Sequence, residues 1–211
     1  MRWSTLSLVV AAIIVATTAR LAAAPAARQP AVKPSPIERL EQHFKRADAD
    51  FKRGDKRAAA TELRAAAQVL REQVRSASGP AKKLLESLPG QLDKAASKIG
   101  TIDQKALRQT FARVYQTLAA YHQKMASSAW AKRERRKVGA YMQVAGTELR
   151  HAATWAGPVV ERACVIAAGY ALDVSQKLFH DSKVNGEQVE KALTGLGKQI
   201  DALGRRIESA K

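Results

Sequence analysis

The stretch Thr61-Glu62-Leu63-Arg64-Ala65-Ala66-Ala67 returns as Thr147-Glu148-Leu149-Arg150-His151-Ala152-Ala153, six identities in seven. Working outward, His43, Ala47 and Phe51 correspond in order and spacing to His122, Ala126 and Trp130, and Ser78-Gly79-Pro80 matches Ala156-Gly157-Pro158. The separation between copies is constant over the first three pairs and grows by seven in the arm that carries Thr61 and Thr147. The expectation is an all-α bundle of about six or seven helices, built from two copies of a hairpin-based repeat of about 80 to 86 residues: repeat 1 over about 37–118 and repeat 2 over about 119–211.

Helical spacing supports the fold class throughout. Ile37, Leu40, Phe44, Ala47 and Phe51 recur at intervals of three and four, and Ser35, Pro36 and Glu38 supply a capping box with Pro at the first helical position. Leu107, Phe111, Val114, Leu118, Tyr121 and Met125 keep the alternating four-three spacing of coiled-coil packing, after a start assigned to Thr101 as cap and Gln104 as its return partner. The last helix opens at Asn185, with Val189, Leu193, Leu196, Ile200, Leu203 and Ile207 as its apolar stripe. Strand-type alternation is absent.

Residues seven apart share a helix face, so an insertion of seven preserves which side looks inward. In an antiparallel hairpin, facing positions have a constant sum. That arithmetic places the first turn near Gly54-Asp55 and the second near Arg136-Lys137, with the second hairpin longer by about one turn per arm. It also sets His122 opposite His151, and His43 opposite Ala65.

The first turn, "FKRGDKRAAATELRAA" from Phe51 to Ala66, fits aromatic-x2-Gly-Asp-x3-Ala-x3-Leu-x2-Ala and resembles a tetratricopeptide hairpin. Its Gly-Asp turn followed by Glu62-Leu63-Arg64 is also similar to YfdX-type periplasmic helical proteins. The resemblance covers about twenty residues of the 211, the period is not 34, and the second copy lacks the Gly-Asp turn. What it implies is a protein-interaction scaffold.

Residues 1–24 carry one early Arg, an apolar run from about Leu6 to Ala16 and then small residues, the pattern of a secretory signal peptide, with Ala19, Ala24 and Ala26 as competing cleavage sites. Residues 25–36 are Pro-rich and read as an extended, disordered tether, and 37–211 as a single helical domain. The chain is thus expected to be exported, to the periplasm of a bacterium. "VVERACVIAAGYALDV", Val159 to Val174, is the most apolar stretch of the mature chain, yet Glu161, Arg162 and Asp173 bound it well short of bilayer thickness. It reads as a central core helix and not a transmembrane segment. Cys164 within it is the single cysteine, which excludes an intramolecular disulfide and reads as a buried thiol.

The formal net charge is +17, and the segment Ala77–Gly157 holds fourteen basic against five acidic residues, a net +9. Such a balance favours an anionic partner. Its focus is "KRERRKV" at Lys132 to Val138, where Lys132, Arg133, Arg135, Arg136 and Lys137 gather at the expected hairpin tip. The partner is expected to be a protein or an anionic envelope component. No nucleic-acid motif accompanies the charge, which disfavours DNA and RNA.

Catalytic motifs are missing: the chain has no Gly-rich phosphate loop, no His-Glu-x-x-His, no Cys-x-x-Cys-His and no Gly-x-Ser-x-Gly. Acidic side chains are few and mostly fall on solvated helix faces between Lys and Arg. The expected protein is therefore a binding or scaffold protein and not an enzyme, with no cofactor. The alternative class is a metal- or cofactor-binding bundle using His122 and His151, two imidazoles on adjacent helices that lack a third and fourth ligand.

Overall fold

The structure, a computed structural model, describes residues 34–180 and 184–209. The expected signal peptide and most of the Pro-rich tether fall outside those residues. Among them the chain forms α1 (Pro36–Lys52), α2 (Lys56–Ser76), a 3-10 turn at Pro80–Lys82, the single-turn α3 (Lys83–Glu86), α4 (Leu88–Ser97), α5 (Gln104–Ala131), α6 (Arg135–Ala156), α7 (Pro158–Phe179) and α8 (Gly186–Ser209). Seven of these helices have ten residues or more, and no strand occurs among the described residues. The fold is an all-α bundle.

Local sequence sets most helix starts. Ser35 Oγ accepts from Glu38 N–H while Glu38 Oε2 accepts from Ser35 N–H, the reciprocal box read from the sequence. Asn185 and Gln188 form the same exchange at the start of α8, with Gln188 N–H donating to Asn185 Oδ1 at 2.8 Å. For α5 the cap is Asp103, whose carboxylate accepts from Ala106 N–H at 2.7 Å, and not Thr101. A carboxylate at the helix N-terminus gains from the macrodipole as well as from the hydrogen bond. Gln104 turns away from the cap and donates to Asp48 of α1.

The longest helix, α5, is the hub, packing on α1, α3, α4, α6 and α8. Its stripe Leu107, Phe111, Val114, Leu118 and Tyr121 is buried, and Met125 packs against the core. At the centre Phe44 stacks on Phe111 with ring centroids 4.2 Å apart, while Tyr115 and Trp155 meet these rings edge-on at 5.5 Å and 4.9 Å. Offset and edge contacts of this kind align the ring quadrupoles favourably. The centre of the core is thus aromatic and shared by α1, α5 and α6.

The expectation of a central position for the apolar stretch in α7 is corrected: α7 packs on α6 and α8 at the edge of the bundle. Cys164, Ala168, Ala171 and Val174 are buried, whereas Val165 and Ile166 are 42% and 65% exposed. A helix apolar on all sides does not declare its inner face, so its hydropathy alone overstated its burial. Its contact with α6 is close, because a Cβ on Gly139 would lie 3.2 Å from the Ser175 backbone oxygen, and one on Gly146 3.3 Å from that of Ala168. No helix among the described residues is long and apolar enough to cross a membrane.

Candidate functional site

Two features stand out on and beneath the α5–α6 hairpin: its cationic turn and a layer of histidine–glutamate contacts in the interior.

The turn consists of Lys132, Arg133 and Glu134, earlier in the chain than the Arg136-Lys137 position that the sequence arithmetic gave. Lys132 and Arg133 bond back to Ser128 and Trp130 carbonyls, Glu134 N–H donates to Ala129 O, and Arg135 N–H donates to Arg133 O. The α1–α2 turn makes the same set of bonds from Arg53, Gly54, Asp55 and Lys56. Every donor and acceptor there has its counterpart at the separation that relates His43 to His122. The two turns therefore have equal length, and the expected lengthening of the second tip is not found.

Heptad geometry explains why the sequence misled. Leu63 is buried, and so are its counterparts in both registers, Met142 and, seven positions further on, Leu149. Ala66 stands in the same relation to Ala145 and Ala152. Either register keeps the apolar face inward, so the recurring "TELR" stretch selected one while the turn follows the other.

All five basic residues at this tip are exposed. Lys137 Nζ bonds Glu134 Oε1 at 2.8 Å, and that contact holds the Glu134 carboxyl below its ordinary range. Lys132, Arg133, Arg135 and Arg136 form no ion pair with a described residue. Arg133 has φ 60°, a left-handed conformation that costs a side-chain-bearing residue about 1–2 kcal/mol. Gly54 fills that place in the other turn, at φ 83°. Trp130 packs its ring partly against the core and, with Ala131, Arg133 and Arg135, lines a hollow of about 410 Å³ at the tip.

Beneath the tip, the expected opposition of His122 and His151 gives way to two separate carboxylate contacts. His122 Nδ1 lies 2.7 Å from Glu148 Oε2, and His151 Nδ1 lies 3.4 Å from Glu41 Oε2 with its ring stacked on Tyr115. His43, expected opposite Ala65, lies 2.7 Å from Glu62 Oε2. His43 and His122 each meet a carboxylate three residues, about one helical turn, before the expected position, although the first turn lies where the arithmetic put it, so a constant sum locates the facing region of a hairpin and not the side-chain contact.

Nor do all acidic side chains lie on solvated faces. Glu148 is 1% exposed, and burial pushes its carboxyl upward against the attraction of His122. Burial works the other way on the imidazole, but the Glu148 contact outweighs it and raises His122. The contact therefore sets a half-buried imidazole, favoured in its charged form, against a buried carboxylate.

Glu41 reaches from α1 to accept from Tyr115 O–H at 2.9 Å and from Trp155 Nε1–H at 3.2 Å. Burial would raise its carboxyl, but these donors together with His151 hold it down at about 2. Burial and the neighbouring Glu41 charge drive the Tyr115 hydroxyl upward, so it remains a donor. One carboxylate thus ties α1, α5 and α6 together through charge-assisted bonds.

Glu41, Tyr115 and Glu148 were missed in the sequence, although Glu148 carried a signal. It lies on the face of Ala145, Leu149 and Ala152, all buried, so helical spacing already turned it inward. The layer satisfies its members with one another, and among the described residues no three His, Cys, Asp or Glu side chains converge as a metal site. Cys164 is buried, and its thiol is pushed up by that burial, away from reactivity. No family model, no curated protein and no solved structure matches the chain.

Proposed function

We propose that this is an exported helical binding protein of the bacterial envelope, which presents the α5–α6 turn to an anionic envelope component. The observation that carries the proposal is the set of four exposed, unpaired cations at Lys132, Arg133, Arg135 and Arg136, with Lys137 beside them. Clustered like charges repel, so the arrangement costs stability unless an anion meets it. Near a negatively charged surface each such residue contributes about 1 kcal/mol, lessened by salt.

The left-handed Arg133 supports the same reading. A turn that closes with glycine in the α1–α2 hairpin carries a guanidinium here, at a conformational cost that contact with a partner offsets. The histidine–glutamate layer and the aromatic centre serve as the rigid support that fixes where the tip points. We further read the two hairpins as duplicated copies, supported by the shared turn and by a histidine–glutamate contact in each, His43–Glu62 and His122–Glu148, the second lying seven residues further along its second arm. The test is fractionation of cells expressing the full chain or a variant with Lys132, Arg133, Arg135, Arg136 and Lys137 changed to Gln. Salt-sensitive association with envelope material in the wild type and its loss in the variant support the proposal. Equal association of both proteins contradicts it.

A further inference from the structure

A groove of about 290 Å³ lies between α4 and α5, away from the hairpin tip. It exists because α4 packs chiefly on α2 and only lightly on α5, leaving the facing stripes of the two helices apart. The stripe of α4 and its C-cap is Gln91, Lys94, Ala95 and Lys98, and the α5 stripe is Ala106, Gln109, Thr110 and Arg113, each at spacings of three and four. Ile102, from the connection between the helices, and Ile207, near the end of α8, complete it.

The lining divides by chemistry. Ala95, Ile102, Ala106 and Ile207 supply an apolar floor. Lys94, Lys98 and Arg113 supply the charge, and among the described residues no acidic side chain lines the groove. These three cations form no ion pair with a described residue. Glu208 lines an adjoining hollow of about 170 Å³ that shares Gln91, Arg113 and Ile207 with the groove. An apolar floor with unpaired cations above it is complementary to a molecule that is apolar at one end and anionic at the other.

We infer that this groove binds a small anionic amphiphile, an acyl or aryl chain of roughly eight to ten carbons ending in a carboxylate or a similar anion. The chain lies on Ala95, Ile102, Ala106 and Ile207, and the anion meets Lys94, Lys98 and Arg113. Selectivity comes from charge: a cationic amphiphile of equal length gains the same apolar contact and meets three like charges. The inference is independent of the role proposed for the hairpin tip.

The test is calorimetric titration of the full chain with decanoate and with decyltrimethylammonium below their micelle concentrations, together with NMR of the isoleucine methyl groups. Saturable decanoate binding is expected, with shifts at Ile102 and Ile207, and the cationic amphiphile should bind at least about tenfold more weakly. Lys98→Glu and Arg113→Glu should each weaken decanoate about tenfold at unchanged melting temperature, and Ala106→Trp should fill the floor and abolish binding. The variant with all five tip cations changed to Gln should bind decanoate as the wild type does. Absence of saturable binding, equal affinity for the two head groups, or decanoate affinity unchanged in Lys98→Glu and Arg113→Glu would overturn the inference.

Discussion

Gly54 and Arg133 occupy the same place in two turns that share their main-chain hydrogen bonds, at φ 83° and 60°. Only the first is a residue that adopts this conformation freely. Arg133→Gly should therefore stabilise the protein by about 1 kcal/mol, and Gly54→Ala should destabilise it by a similar amount. Urea unfolding at neutral pH measures both. A destabilised Arg133→Gly would mean that the guanidinium holds the turn together and is not presented to a partner.

The Glu41 carboxylate makes acid sensitivity specific to one residue. Its pKa falls from 4.5 to about 2 on folding, so its stabilisation is complete above pH 4.5 and is lost as pH falls through about 2. By linkage this amounts to about 3 kcal/mol. Tyr115→Phe, which removes one donor to Glu41, should cost about 2 kcal/mol near neutral pH and less in acid. A cost independent of pH between 2 and 6 would contradict the assignment.

Matched contacts in the two hairpins should differ in energy, because burial differs. Glu148 is 1% exposed and Glu62 21% exposed, although each lies 2.7 Å from its histidine. Glu148→Ala strands His122 in the interior and should cost about 3–5 kcal/mol, whereas Glu62→Ala should cost about 1 kcal/mol. Because His122 is raised above 6.5 in the folded protein, its contribution is fully present below pH 6.5 and is lost as pH rises through the folded value. Unfolding of wild type and His122→Gln between pH 6 and 9 should converge at the alkaline end. Parallel curves would refute the raised imidazole.

What the sequence revealed was local. The box at Ser35, the cap at Asn185 and the inward stripes of α1, α5 and α8 depend on spacings of three or four residues and came through intact. Relations across a turn did not. The second turn lies at Lys132–Glu134 and not at Arg136-Lys137, and His122 and His151 meet Glu148 and Glu41 and not each other. The error had a physical cause, since a left-handed Arg133 gives no sequence signal of the kind Gly54 gives, and a seven-residue shift leaves the buried face unchanged. The groove between α4 and α5 was equally hidden, because it depends on how far two helices stand apart and not on what either one contains.

The most direct test of the tip is co-sedimentation of the chain, less residues 1–24, with vesicles containing phosphatidylglycerol and with vesicles of phosphatidylcholine alone, at 20 and 300 mM salt. The tip should give binding to the anionic vesicles that falls steeply with salt, with little binding to the zwitterionic ones. Replacing Lys132, Arg133, Arg135, Arg136 and Lys137 with Gln should remove most of that binding while helicity and melting stay nearly unchanged. Wild type and variant binding anionic vesicles alike at both salt concentrations would contradict the account.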